Sequence, residues 1–334
     1  MDRTDLLSRL QPEIEKIGQA MHNDLKSCAG QQAGPSQLPE VLEHALFNGG
    51  KRIRPLLCIL AARLCGNSDE KIYQLAIAFE YLHVATLLHD DVIDHADTRR
   101  GQPTVNNAWG LTSAILAGDF LHARSMYMIG RFGGNRCLKF INRATEAMVE
   151  GEFLQLHNAQ NFNQSEDDYF AVINGKTALF IGAVCQAGGV FGSGSSEELE
   201  ALNLYGANLG KAFQIKDDLL DYLGDAAKTG KAVGNDFCEG KMTLPLIHAL
   251  QQADTEEKNL LMDLLKGERQ SRLAKLDRAR HIIDRNNGFI YAGKLAEELI
   301  NDAIASLAVF TSAQAQPFRE TLVGLAHYVL SRDK

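Results

Sequence analysis

A chain of 334 residues with 45 % apolar side chains can bury a sizeable core, and its formal charge of −8 argues against the broad basic face that general nucleic-acid binding needs. The six cysteines (Cys28, Cys58, Cys65, Cys137, Cys185, Cys238) include no CxxC pair and no metal-ligand spacing, so they suit buried thiols in a reducing cytoplasm better than a disulfide framework. Only 7 prolines occur, none between Pro103 and Pro245, and an interior proline would break a helix, so an all-α protein is expected.

In chain order, residues 1–25 carry Leu6, Leu7, Leu10, Ile14 and Ile17 at helical spacing and lack the unbroken apolar core of a signal peptide. Breaks are expected at 30–39, 66–69, 133–135, 192–196 and 224–235. All are short loops between apolar stretches, so a single domain over residues 1–334 is expected. Gly49-Gly50-Lys51-Arg52-Ile53-Arg54-Pro55 sets cations behind a glycine pair, where backbone amides can approach a phosphate. The apolar run 82–88 leads into His89-Asp90-Asp91-Val92-Ile93-Asp94, with Arg99 and Arg100 one or two turns further on.

Lys176 and Thr177 then follow Gly175. The most apolar segment, 178–191, is too short and too glycine-rich to span a bilayer and reads as a buried helix of a soluble protein. The run 212–215 leads into Lys216-Asp217-Asp218-Leu219-Leu220-Asp221, an echo of the first acidic motif, with Gly230-Lys231 and Gly240-Lys241 after it. Two apolar helices that each end in DDxxD suggest two similar walls facing one site.

At about 100° per residue, Asp90 and Asp94 lie about 40° apart on adjacent turns, while Asp91 points away; Asp217 and Asp221 repeat this geometry. A lone acidic motif is often only a solvated helix end. These two follow apolar, hence buried, runs, and several like charges at a cavity mouth need a cation. Paired carboxylates with room for water and phosphate oxygens suit Mg²⁺. Each basic residue alone is a weak signal, yet together they flank both motifs in an acidic chain. His83, within the first apolar run, could be a satisfied core residue. It lies two turns below Asp90 on nearly the same face, which favours a ligand role.

These segments, with Gly101-Gln102-Pro103-Thr104, Gly118-Asp119, Gly210-Lys211-Ala212-Phe213-Gln214, Tyr222 and Gly240-Lys241-Met242-Thr243-Leu244-Pro245, resemble the trans-polyprenyl diphosphate synthases, in that family's order and spacing over residues 45–248. The resemblance implies an all-α fold around a deep central cavity, a cytoplasmic homodimer, and three Mg²⁺ ions per site with substrate bound. It implies that Lys51, Arg54, His83 and Arg100 bind isopentenyl diphosphate. Arg99, Lys176, Lys231 and Lys241 would bind the allylic diphosphate, with Thr177 and Gln214 lining the site. Asp90, Asp94 and Asp217 would be the main metal ligands, supported by Asp91, Asp218 and Asp221. The stretch Asp236-Phe237-Cys238-Glu239, just before Lys241, is less typical of the family.

The implied reaction is metal-assisted ionisation of the allylic diphosphate, attack by the double bond of isopentenyl diphosphate, and loss of a proton. It needs no side-chain nucleophile, and the chain offers no Ser-His or Cys-His arrangement. A class I terpene cyclase would not need the basic cluster at 49–55, and a non-catalytic partner subunit would tend to lose an acidic motif. Ala85 and Thr86 stand five and four residues before Asp90, where short-chain members of the family place aromatic residues. Their small side chains predict a product longer than C20, octaprenyl-like, rather than a farnesyl or geranylgeranyl chain. Phe79, Tyr81 or Met126 are deeper candidates for the floor.

Overall fold

The computed structural model describes residues 3–29, 37–224 and 233–332, and these are almost wholly helical. The described residues group into two compact units. One is drawn from Met1–Phe140, Val184–Glu200 and Val309–Gly324, the other from Ile141–Ala183, Ala201–Ala308 and Leu325–Lys334.

The first unit begins with α1 (Arg3–Ala29), α2 (Leu38–Phe47), α3 (Ile53–Leu64) and α4 (Ile72–Ile93). α4 is buried on every side, from Leu75 and Phe79 to Val84, Ala85 and Leu88. A helix that is apolar all round has no solvent face and must be wrapped by others. α1, α3 and α6 (Leu111–Met128, after the short α5, Val105–Trp109) supply that wrapping. Between α4 and α5 the all-α expectation has one small exception, a hairpin of β1 (Thr98–Arg99) and β2 (Gln102–Pro103), paired Arg99 with Gln102. Its two-residue turn places Arg100 at φ 55° and Gly101 at φ 77°. Positive φ at both positions is what a type I′ hairpin turn requires; glycine adopts it without strain, arginine does not.

α7 (Gly134–Asn161), α8 (Glu166–Ile173), α9 (Leu179–Phe191) and α10 (Ser196–Leu223) follow. α8 starts at Ser165, whose hydroxyl accepts from the Asp168 amide, and its first turn holds Glu166, Asp167 and Asp168, complementing the positive helix end. A π-turn at Asn174–Ala178 joins α8 to α9. The apolar segment is therefore longer than its sequence suggested: Glu166–Phe191 is one 26-residue helical run, long and apolar enough by composition to cross a membrane, with 61 % of its most apolar window buried inside the protein. That burial is the setting of a core helix.

The core of the second unit gathers Tyr222 and Leu219 of α10 with Phe237 of α11 (Asn235–Glu239), Leu246 and Ile247 of α12 (Leu244–Gln252), Leu261 of α13 (Thr255–Leu265), Ile282 of α15 (Leu276–Arg285) and Phe289 of α16 (Gly288–Ser306). The short α14 (Arg269–Leu273) lies between α13 and α15 in sequence, and α17 (Gln316–Ser331) follows α16. All six cysteines are free thiols, as their spacing predicts.

Candidate active site

The first acidic motif closes α4. Asp91 is buried at 4 % exposure, Asp90 is half-buried, and Asp94 is exposed at the helix C-cap. The outward Asp90 and Asp94 and the inward Asp91 follow from the 100° rotation per residue. Both oxygens of Asp91 are engaged by Arg99, with Nε at 2.8 and 3.1 Å and Nη2 at 2.7 Å. The hairpin delivers Arg99 to this position, and its base is tied down by the Thr104 hydroxyl, which donates to the Ala96 carbonyl at 2.7 Å.

The turn residue Arg100 reaches back to the glycine pair. A Cβ on Gly50 would lie 2.9 Å from the Arg100 Nη1, and Gly50 has φ 124°, so only glycine fits. Arg52, itself left-handed at φ 53°, is buried against Glu80 at 2.7 Å and belongs to the packing. Lys51 beside it is exposed. Burial, opposed by Glu80 and assisted by Arg100, draws Arg54 down to about 10. His83 is pushed well below the usual histidine range, first by burial and then by the charges of Arg54, Arg100, Arg99 and Arg52. Burial and these charges favour the neutral imidazole, and negative charge brought near the ring would oppose that effect. Between His83 and Asp90, Ala85 is 2 % exposed and the Thr86 hydroxyl donates to the His83 carbonyl at 2.8 Å. Phe79 and Tyr81 are fully buried further down α4.

In the second unit, α10 carries the second motif and repeats the pattern. Asp218 is 5 % exposed and accepts from the Tyr169 hydroxyl at 2.7 Å and from Gln214 Nε2 at 3.1 Å. Burial and the charge of Asp236 raise its carboxyl to about 8. Asp221 accepts from the Asn235 and Asp236 amides at 3.2 and 3.0 Å, and burial with Asp236 raises it to about 6. Asp217 stays half exposed and pairs with Arg332 at 2.7 Å. Lys176, on the π-turn, pairs with Glu152 and donates to Gln155 at 3.0 Å, and Thr177 donates to Gln214 at 3.4 Å. π-Turns recur at functional positions because they re-aim one side chain within a helix.

Lys241 is held by Asp236 at 3.1 Å and Glu239 at 2.8 Å; burial alone would lower it, but these acids outweigh burial and raise it. A cavity of about 130 Å³ within this unit is lined by Lys176, Gln214, Asp218 and Lys241, which the sequence singled out, and by Tyr169 and Asp236, which it did not. Lys231 lies outside the described residues. Asp236 sits in the least typical stretch of the chain, and neither Tyr169 nor Arg332 belongs to a motif, so sequence reading had no local signal for any of the three.

The donor set fits Mg²⁺. Among the described residues no three acidic, histidine or cysteine side chains converge into a closed cage. Mg²⁺ does not ask for one: it takes one or two carboxylates, keeps waters, and completes its shell with phosphate oxygens.

A sequence profile described as Polyprenyl synthetase matches residues 35–283, which include both acidic motifs and the basic cluster. The chain belongs to the polyprenyl synthetase family. As a polyprenyl synthetase it is a prenyltransferase. It is 38 % identical over 291 residues to the octaprenyl diphosphate synthase of Escherichia coli K12, covering 87 % of this chain and 88 % of that one. It is 34 % identical over 304 residues to a geranylgeranyl diphosphate synthase of Saccharolobus solfataricus, covering 89 % and 91 %. In three dimensions it matches a polyprenyl synthase of Caulobacter crescentus CB15, solved in complex with calcium and isoprenyl diphosphate, with a TM-score of 0.86 and 34 % identity, covering 98 % of this chain and 97 % of that one. The all-α fold expected from the sequence is that of this family.

Proposed function

We propose that this polyprenyl synthetase condenses an allylic diphosphate with isopentenyl diphosphate to an all-trans chain longer than C20, octaprenyl-like in length. The observation that carries the reading is the end of α4, where the hairpin sets Arg99 on Asp91 and Arg100 against Gly50, while burial and arginine charge hold His83, two turns below Asp90, well below the usual histidine range. Small side chains at Ala85 and Thr86, and the likeness to an octaprenyl diphosphate synthase, support the long product. The family profile runs through both units, which supports a single catalytic domain.

In this reading Lys51, Arg54, His83 and Arg100 hold the diphosphate of isopentenyl diphosphate. Arg99, Lys176, Lys231 and Lys241 hold the allylic diphosphate, with Thr177 and Gln214 beside it. Asp90, Asp94 and Asp217 hold Mg²⁺, three ions per site, and Asp91, Asp218 and Asp221 brace them. Bound Mg²⁺ supplies Lewis-acid stabilisation of the charge that builds on the departing diphosphate. The cationic side chains add charge-assisted hydrogen bonds to the same oxygens. The apolar residues of α4 keep water from the allylic cation.

The exposed apolar residues Leu111, Ile115, Leu116 and Tyr127 on α6, and separately Val149, Phe153 and Leu156 at i, i+4 and i+7 on α7, support a homodimer. Free thiols throughout support a cytoplasmic setting. Incubating the pure protein with Mg²⁺, an allylic diphosphate and labelled isopentenyl diphosphate tests the reading. Linear products beyond C20 are expected, whereas cyclic hydrocarbons, no product, or arrest at C15 or C20 would each exclude it as stated.

A further inference from the structure

Arg332, directly after α17, and Asp217 of α10 form an ion pair with unequal exposure: the guanidinium is buried at 5 % while the carboxylate that it holds is 50 % exposed. The arginine Nη2 donates to Asp217 Oδ1 at 2.7 Å and to the Phe213 carbonyl at 2.9 Å. Its guanidinium carbon stacks 3.8 Å from the centre of the Phe213 ring. Its Nε is buried with no hydrogen-bond partner among the described residues. The cation is thus fixed in place by packing rather than by a network of acids, and it meets the carboxylate through a single oxygen.

We propose that Arg332 is a resident cation that weakens divalent-metal binding at Asp217 and takes the carboxylate back when metal and diphosphate leave. The inference rests on the assignment of Asp217 as a metal ligand. A metal ion on Asp217 must share the carboxylate with a guanidinium 2.7 Å from it, and two cations on one carboxylate repel. A diphosphate brings negative charge enough to offset that repulsion. The ion is then held firmly only while diphosphate is present, so the second motif is not locked by idle metal and the product diphosphate leaves without a strongly retained counter-ion. A buried charge needs a partner, and the return of Asp217 to Arg332 provides one.

The test titrates the full-length protein with Mn²⁺, followed by electron paramagnetic resonance, first alone and then with inorganic pyrophosphate. Without pyrophosphate, Arg332→Gln should bind Mn²⁺ roughly tenfold more tightly than wild type, the factor expected for one charge-assisted hydrogen bond removed from the competing cation. The gap should narrow with pyrophosphate, and Arg332→Lys should stay near wild type. Adding Asp217→Asn to Arg332→Gln should abolish the gain. Phe213→Leu, which keeps the arginine but loosens its clamp, should tighten Mn²⁺ binding by a smaller factor and decides the matter if Arg332→Gln does not fold. Affinities equal to or weaker than wild type in both Arg332→Gln and Phe213→Leu overturn the inference, and an Asp217→Asn effect on Mn²⁺ binding would then leave the metal assignment standing. Mn²⁺ binding indifferent to Asp217→Asn overturns both.

Discussion

The hydroxyl of Tyr169 donates a 2.7 Å hydrogen bond to the buried carboxyl of Asp218, the second acid of its DDxxD. Arg99 does the same service for Asp91, the second acid of the other motif. In both motifs the second aspartate faces inward and is tied to the scaffold, and the first faces outward.

That division predicts different failures for neighbouring acids. Asp90→Ala should abolish turnover with little change in stability, whereas Asp217→Ala should abolish turnover and also destabilise the protein, because it strands the buried Arg332 guanidinium. Asp91→Asn should keep a folded protein but lower its stability by about 1–3 kcal/mol, because Arg99 loses its charged partner, and Tyr169→Phe should cost about 1–2 kcal/mol by leaving Asp218 one donor short. Turnover assays beside urea denaturation separate the two classes. Turnover within tenfold of wild type in both alanine variants would remove the metal assignment.

Lys51→Ala and Arg54→Ala should raise the KM for isopentenyl diphosphate, each by the equivalent of about 1.5–3 kcal/mol. Arg99→Ala should raise the KM for the allylic substrate and also lower stability, since it strands Asp91. Varying each substrate in turn reads these effects, and equal changes in both KM values in all three variants would refute the division of the two anion sites.

His83 gives a pH signature whose sign is fixed by its surroundings. Its folded-state value is depressed below the ordinary 6.5 by burial and by four arginines. The unfolded chain therefore takes up a proton that the folded protein refuses, and stability should fall as pH drops below about 6.5. His83→Gln should flatten that part of the stability profile. An anion beside the ring relieves the repulsion, so added pyrophosphate should move the His83 titration upward in ring-nitrogen NMR; a ring charged at pH 7 before any addition would contradict this account.

Ala85→Phe should shorten the products markedly, because an aromatic ring would stand about 7.5 Å below Asp90 on α4. Chromatography after phosphate removal compares the chain lengths. Unchanged length in the variant would move the determinant to Phe79, Tyr81 or another helix.

That Asp91 points away from Asp90 and Asp94 was legible because helical spacing alone fixes the angle between them. The all-round apolar character of α4 was legible for the same reason. The distant partners of Asp218 and Asp217 were not. Tyr169 is 49 residues from Asp218, and Arg332 is 115 from Asp217, and such tertiary hydrogen bonds leave no periodic trace in a sequence. The hairpin was missed because the first of its two turn residues is an arginine, where an asparagine before Gly101 would have announced it. The apolar segment was read as 178–191 only, whereas the helical run reaches back through the π-turn at Asn174–Ala178 to Glu166.

The left-handed Arg100 also bears on any effort to toughen this enzyme. Asparagine is the residue a type I′ turn favours, so a thermostability screen would select Arg100→Asn early, with a gain on the order of 1 kcal/mol. The same change would strip one of the four positive charges around His83. Heat resistance and substrate affinity are opposed at this residue, and a variant library that ranks clones by melting temperature alone will drift toward sturdier, weaker-binding proteins.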